Sequence, residues 1–297
     1  MKILAALVLL LIGVMSWQHV RYLNARRQLV QDRQPLLYAS DSLHVITFLE
    51  VSRDEELIPS VSALRRAIEA AGGLLVYAGQ AAFTRPSEQI GPADWDAVVF
   101  AQYPSREAYE AAASGEGLQK ALGAFTRSYS HGMKRPAALN LLVPQGLLAA
   151  RLVDLLQGNW SAEELKPQPM ADHGENAAQL DEVVARLRQL QPVNDDAVLV
   201  FNLIQSGTPA QESANRSYGF KMIKRMASLA HGPMHVGKAV TLEGDATFDQ
   251  AIVVYYPGPG YFASLLESDF FRSIIGDKQL NDTQAVPTVP ILSRLES

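Results

Sequence analysis

The sequence predicts an α+β protein: two tandem β-α-β-β-α-β units whose sheets pack face to face as a pseudo-dimer within one chain, preceded by one transmembrane helix. Three observations carry this prediction. The N-terminus is a long apolar run, one order of strand-like and helix-like segments occurs twice, and the first helix of each copy ends at glycine.

The N-terminal element comes first. In "MKILAALVLLLIGVMSWQHVRYLNARR", Lys2 precedes an apolar run from Ile3 to Trp17. Fifteen helical residues reach ~22 Å, short of a hydrocarbon core of ~30 Å. Extension to Val20, with Trp17 and His19 at the interface, gives ~27 Å and a short span. Residues 1–23 therefore read as a membrane anchor, with the bilayer as partner of residues 3–20. A cleaved signal peptide is the rival reading, with Val14 and Ser16 at positions −3 and −1, but it lacks a polar c-region and an A-x-A site. Arg21, Arg26, Arg27 and Arg33 behind the span favour a cytoplasmic body. The short basic start before an apolar run favours export. The expectation is a single-pass protein of a bacterial inner membrane, its body periplasmic. Residues 24–42, rich in Arg and Gln, read as a stalk.

The first unit spans 43–144 and the second 196–297. "LHVITFLEV" (43–51) matches "AVLVFNLI" (197–204), both β-branched and aromatic runs of strand length. "SVSALRRAIEAAGG" (60–73) matches "GFKMIKRMASLAHG" (219–232), each apolar at helical spacing. "LLVYAGQAAF" (74–83) matches "PMHVGKAVTL" (233–242), with Gly79 opposite Gly237. "WDAVVFAQYPSREAY" (95–109) matches "FDQAIVVYYPGPGYF" (248–262): aromatic–Asp, a strand, then Tyr-Pro leading into a helix, where proline fits the first turn. After a helical region each unit closes on an apolar segment, "PAALNLLV" (136–143) and "AVPTVPIL" (285–292), read as the last strand. Residues 145–195 form a linker that reads as a helix (145–160), a polar loop and a second helix (177–192).

That order is the ferredoxin-like split unit, a four-stranded antiparallel sheet with helices on one face. Its bare face needs a partner, and the other copy supplies one. With its Gly-bearing second strand and the "[W/F]-D-x-x-[V/I]-V-x-x-Y-P" third strand, the chain resembles the dimeric α+β-barrel superfamily over residues 43–143 and 196–293. The nearest branch is an uncharacterised family with a Tyr/Phe-Pro-Ser step, which "YPSREAY" fits closely and "YPGPGYF" loosely. The resemblance implies a fold. It spreads function across cofactor-free monooxygenases, lactone isomerases, haem-dependent chlorite dismutases, dye-decolorising peroxidases and members of no known activity.

Composition excludes more than it assigns. Formal net charge is −5, with no basic run interleaved with aromatics, so nucleic acid is not an expected partner. With no cysteine, disulfides, thiolate metal sites, iron–sulfur clusters and a Cys nucleophile are all excluded. No nucleophile elbow, P-loop, Rossmann fingerprint or EF-hand loop occurs.

Candidate residues are those that break an apolar pattern. His231 and His235 lie four apart, but Gly232 and Pro233 interrupt the helix between them, so the zinc geometry of a helical pair is lost and no metal is expected. His235 falls opposite Tyr77 in the repeat. His235, Tyr77 and Tyr255 are the catalytic candidates. Thr47, Gln102, Asn202, Tyr256 and His231 are the ligand-binding candidates, and Tyr103 shares the pattern. No cofactor is expected; the alternative is haem, with His235 or His231 as axial ligand. His131 has Arg127, Lys134 and Arg135 close in sequence, a small basic cluster able to hold a carboxylate, and His173 sits between Asp172 and Glu175 in a polar loop. The function expected is a membrane-anchored barrel protein that binds a small apolar molecule or serves as an accessory. The alternative is a cofactor-free monooxygenase or isomerase. The body is expected to be monomeric.

Overall fold

Alternating side chains build most of the sheet. The computed structural model describes residues 2–29, 31–33, 35–160, 164–167, 177–229 and 233–295. Within them run β1 (Leu43–Glu50), β2 (Leu74–Ala81), β3 (Ala97–Tyr103), β4 (Arg127–Lys134), β5 (Val198–Gln205), β6 (Pro233–Thr241), β7 (Gln250–Tyr256) and β8 (Asp282–Pro290). One parity of each strand faces a common interior: Ile46 and Phe48, Val98 and Phe100, Leu199, Phe201 and Leu203, Ala251, Val253 and Tyr255. The other parity of β1 and β3, Leu43, Val45, Leu49, Val99 and Ala101, joins a separate outer cluster under helices.

The strands close into a barrel in the order β1-β3-β2-β8-β5-β7-β6-β4. Each half keeps its own four strands together, β4-β1-β3-β2 and β8-β5-β7-β6, with every neighbour antiparallel. Two seams join the halves. In one, Gly79 lies opposite Pro290 and Ala81 opposite Thr288; in the other, His131 lies opposite Thr241 and Lys134 opposite Lys238. This corrects the expectation of two sheets stacked face to face. The bare faces do look towards each other across one interior, but they meet as the inner wall of one closed sheet. Stacking would have left four edges of unpaired N–H and C=O groups, and closure removes them.

Helices cover the outside. α1 (Lys2–Leu29) precedes the barrel; α2 (Leu57–Ala70), α3 (Arg106–Ser114) and α4 (Glu116–Leu122) pack Val61, Leu64, Ile68, Tyr109 and Leu118 on the first half. Between the halves lie α5 (Leu139–Leu156) and α6 (Ala177–Leu190), followed by α7 (Pro209–Ser228), α8 (Gly258–Leu266) and α9 (Asp269–Ile275). Leu187, Met226, Phe262 and Leu265 of these helices cover Val198, Val200 and Tyr256. The helical region after each Tyr-Pro step is two short helices. Ser105 caps α3 by accepting from the Ala108 amide, and Ser268 caps α9 by accepting from the Phe271 amide.

Two further expectations change. The last strand of the first half is "RSYSHGMK" (127–134), and "PAALNLLV" (136–143) opens α5 instead. The first segment alternates Tyr129, His131 and Met133 inward; the second has no such alternation and runs on into a helical apolar stretch. Nor is 24–42 a free stalk. α1 continues to Leu29, and the following strap is bound to the barrel: the Arg33 amide donates to Val76 O (2.8 Å), the Arg33 side chain pairs with Glu69, and the Tyr38 hydroxyl donates to Pro136 O (2.6 Å).

Candidate functional site

The two halves match in register. Leu43 faces Tyr103 in one and Val198 faces Tyr256 in the other. β2 and β6 carry matching irregularities, between Leu75 and Tyr77 and between Pro233 and His235. A bulge adds one unpaired residue and re-aims the side chains after it. It leaves Tyr77 beside Phe100 and His235 beside Val253, equivalent places at one end of the interior. On β2 the bulged residue's carbonyl, Val76 O, takes the strap amide of Arg33.

Tyr77 is completed within the barrel. Thr288 Oγ1 donates to Leu199 O (3.0 Å), so the Tyr77 hydroxyl donates to Thr288 Oγ1 (2.9 Å). Burial pushes the phenol far up, and it stays protonated. Gly79 makes room: a Cβ there would sit 2.5 Å from the Tyr77 hydroxyl.

His235 faces a charged group from outside the two sets of four strands. Its fully buried ring meets Phe100 edge-on (centroids 4.7 Å), and Nε2 lies 3.6 Å from Asp32 Oδ2. Asp32, from the strap, pairs with Arg26 of α1. Burial first, then the Arg135 and Arg26 guanidiniums, hold the imidazole well below its ordinary range. The ring facing Asp32 is therefore neutral. His44 also packs on Phe100 (5.5 Å, stacked) and meets Tyr38 edge-on (4.9 Å). Arg135 donates to His44 Nε2 (3.3 Å) and to Asn140 Oδ1 (2.9 Å), and its guanidinium lies 5.0 Å over the Tyr38 ring. Burial, then Arg135, lowers His44 to about 2, and burial lowers Arg135 to about 10, where it is still a cation at neutral pH.

This end of the barrel thus gathers Arg26, Asp32, His44, Arg135 and His235, each buried or nearly so. The Nδ1 atoms of His44 and His235 make no hydrogen bond among the described residues. Buried polar groups without partners are uncommon, and they concentrate where water or a ligand is bound or where function demands them.

The opposite end is closed by ordinary means. The loop between β2 and β3 lies across it, with the Ser87 amide donating to Gln284 Oε1 (2.9 Å) and Ser87 Oγ bonded to Asp282. Inside, the Tyr129 hydroxyl lies 3.0 Å from His131 Nδ1, and the His131 ring meets Phe248 edge-on (5.4 Å). Burial lowers His131 to about 4.

The sequence candidates separate by parity. Tyr77, Gln102, Tyr255 and His235 share the inward parity of their strands. Thr47, Asn202, Tyr256 and Tyr103 do not: they face the helices. Thr47 bonds Ser130 (3.1 Å), Asn202 donates to Val200 O (3.0 Å) and Ile252 O (3.2 Å), Tyr256 packs on Phe262 and Tyr103 on Tyr109. Adjacent residues such as Tyr255 and Tyr256 cannot both point inward in a strand of period two. The basic cluster also disperses. Arg127 donates to Ile90 O and Pro92 O, Lys134 is exposed, and Arg135 turns into the barrel end. His131 is not ahead of the last strand but within β4. His231 and His173 lie outside the described residues. Among the described residues, no group of three or more His, Asp or Glu is placed to hold a metal. Sequence reading missed Asp32, Arg26 and Arg135 as partners of His235, and set His44 aside, because they come from separate stretches of chain.

No protein-family model matches this chain, and no curated protein matches it. In structure it is similar to an anthrone oxidase-like protein (12% identity, 84% of this chain and 92% of that one, TM-score 0.42). It is similar also to a mutant chlorite dismutase from Candidatus Nitrospira defluvii (11% identity, 87% and 96% covered, TM-score 0.40). A third is a protein of unknown function from Rhodopseudomonas palustris (21% identity, 33% and 85% covered, TM-score 0.24). Likeness of this degree assigns no activity.

Proposed function

We propose that this chain is a membrane-anchored, duplicated ferredoxin-like barrel protein that binds a small organic anion at the barrel end beneath α1 and the strap. The observation that carries this is the buried cluster itself. Two guanidiniums, Arg26 and Arg135, face one carboxylate, Asp32, among two neutral imidazoles. A carboxylate or phenolate would lie beside guanidinium donors and accept from the Nδ1–H of His44, whose Nε2 already accepts from Arg135. The phenyl ring of Phe100, which contacts both histidines, supplies an apolar wall.

Binding is favoured over catalysis because an effective base has a pKa near the working pH, and His235 is held well below it. A cofactor-free monooxygenase or isomerase is the second reading, with His235, Tyr77 and Tyr255 steering a proton. Haem is less favoured still. His44, His131 and His235 each have an aromatic ring against them, with centroids 4.7–6.0 Å away, which crowds the space a flat macrocycle would need. The body belongs on the periplasmic side of a bacterial inner membrane, and because the chain closes its own barrel it acts as a monomer.

The test is thermal unfolding of the full chain in detergent at pH 7 against a panel of small carboxylates and phenols. A ligand at about a hundred times its Kd stabilises by about 2.7 kcal/mol. The expected result is a rise in Tm that Arg135→Gln abolishes and Tyr129→Phe, at the other end, keeps. A rise with uncharged analogues alone would remove the anion reading; turnover of any panel member would promote the enzyme, and a Soret band after haem loading the third.

A further inference from the structure

Among the described residues, two helices are long and apolar enough to cross a membrane: residues Ile3–Arg26 within α1, and α5, Leu139–Leu156. The second cannot cross, because one side of it is committed to the body. Asp154 accepts from Arg151 (2.9 Å) and Asn159 (2.9 Å) and pairs with Lys224 of α7 (3.0 Å), while Leu147 packs with Tyr22 of α1 and Ala227 of α7. Its other side has no cover. Leu142, Gly146, Ala149, Val153 and Leu156 recur at helical spacing on one exposed strip, and Leu156 is 88% exposed. Just past the helix end Trp160 is 77% exposed. Arg151 and Asp154 are the only charges on α5, and they pair with each other, so none is left on the strip.

We infer that α5 is a second bilayer-contacting element, lying in the plane of the membrane interface and seating the barrel against the lipid surface beside α1. What selects a lipid surface over a protein is continuity with the span. α1 and α5 pack through Tyr22, Leu23, Val143 and Leu147, and Gln145 donates to Met15 O (3.5 Å) within the apolar run. At the start of α5, Asn140 donates to Pro35 O (2.7 Å), and the neighbouring Leu36 and Leu37 are exposed. Exposed apolar side chains therefore run from the anchor onto α5, with Trp160 at the far end as an interface residue. An exposed apolar face of this extent marks an interaction site.

The inference rests on α1 being inserted in the bilayer, and the test separates the two. The chain has no cysteine, so single-cysteine variants of the full-length protein can be spin-labelled without background. Leu142→Cys, Val153→Cys and Leu156→Cys report on α5, Leu9→Cys on α1, and Glu116→Cys on a charged, exposed site of α4. Collision with oxygen and with a water-soluble nickel complex is measured in phosphatidylcholine–phosphatidylglycerol vesicles. The expected result is high oxygen and low nickel collision at 9, 142, 153 and 156, and the reverse at 116. Lipid exposure at 9 with nickel access at 142, 153 and 156 would overturn the inference and leave the anchor standing. Nickel access at 9 would overturn the anchor itself. Shielding of the α5 sites from both reagents would put a protein, a second copy or another chain, where the lipid was expected.

Discussion

Tyr77 and His235 occupy the same place in the two halves of the barrel, with one bulge before each and a glycine two residues after. Their environments are nevertheless opposite. Tyr77 is satisfied by a neutral hydroxyl chain running through Thr288 to Leu199 O, all of it barrel. His235 faces Asp32, which arrives with Arg26 from the segment ahead of the repeat. Matching strand order and register set where a side chain points. Its chemistry is set by what the segments outside the strands bring to it.

The largest expected effect tests that dependence on the strap. Asp32→Ala leaves Arg26 buried without its carboxylate and should destabilise the body by about 3–5 kcal/mol, the usual loss when one partner of a buried ion pair is removed. Thermal unfolding in detergent measures it. A loss no larger than that of Tyr77→Phe would show the two places to be energetically alike.

The seams differ as well. A Cβ at Gly237 would collide with the backbone carbonyl of Lys134, whereas at Gly79 it meets side-chain atoms of Tyr77 and Thr288. Gly237→Ala should cost about 1–3 kcal/mol, the range for overpacking, and Gly79→Ala less, because side chains shift more cheaply than a neighbouring strand. Faster amide exchange confined to β4 and β6 in the first variant would locate the strain at that seam.

Acid acts on buried histidines in both halves, His44 and His131 in the first and His235 in the second. For His44 and His131 the folded value, about 2 and about 4, lies below the unfolded value of 6.5. Below pH 6.5 the unfolded chain takes up protons that the native state refuses, so stability is complete above that pH and is lost as pH falls. The loss accrues at about 1.4 kcal/mol per pH unit for each histidine, and for His131 it ends near the folded value. Urea midpoints between pH 7 and 5 should fall, and His131→Gln should flatten the slope. A slope unchanged by that substitution would remove His131 from the account.

Tyr77→Phe should be the mildest, about 1 kcal/mol for one neutral hydrogen bond, since Thr288 keeps Leu199 O as its acceptor.

Strand parity was legible in part. The repeat located Tyr77 opposite His235 and Gly79 opposite Gly237 before any coordinates, because equivalent registers need equivalent residues. It could not sort Tyr255 from Tyr256 or Gln102 from Tyr103, since both faces of a barrel strand are buried, one by the interior and one by helices. The last strand of the first half was hidden for the opposite reason: "RSYSHGMK" is polar and reads as a loop, while the apolar segment after it is helical.

By itself the sequence determined the order of strands and helices, the likeness of the halves and the apolar N-terminal helix, all of which are written in local periodicity. Tertiary structure alone decided that the sheets would close edge to edge, that the strap would dock, and that Arg26, Asp32, His44, Arg135 and His235 would meet. Those outcomes depend on which distant backbone edges and buried charges need one another, and no window of adjacent residues contains that information.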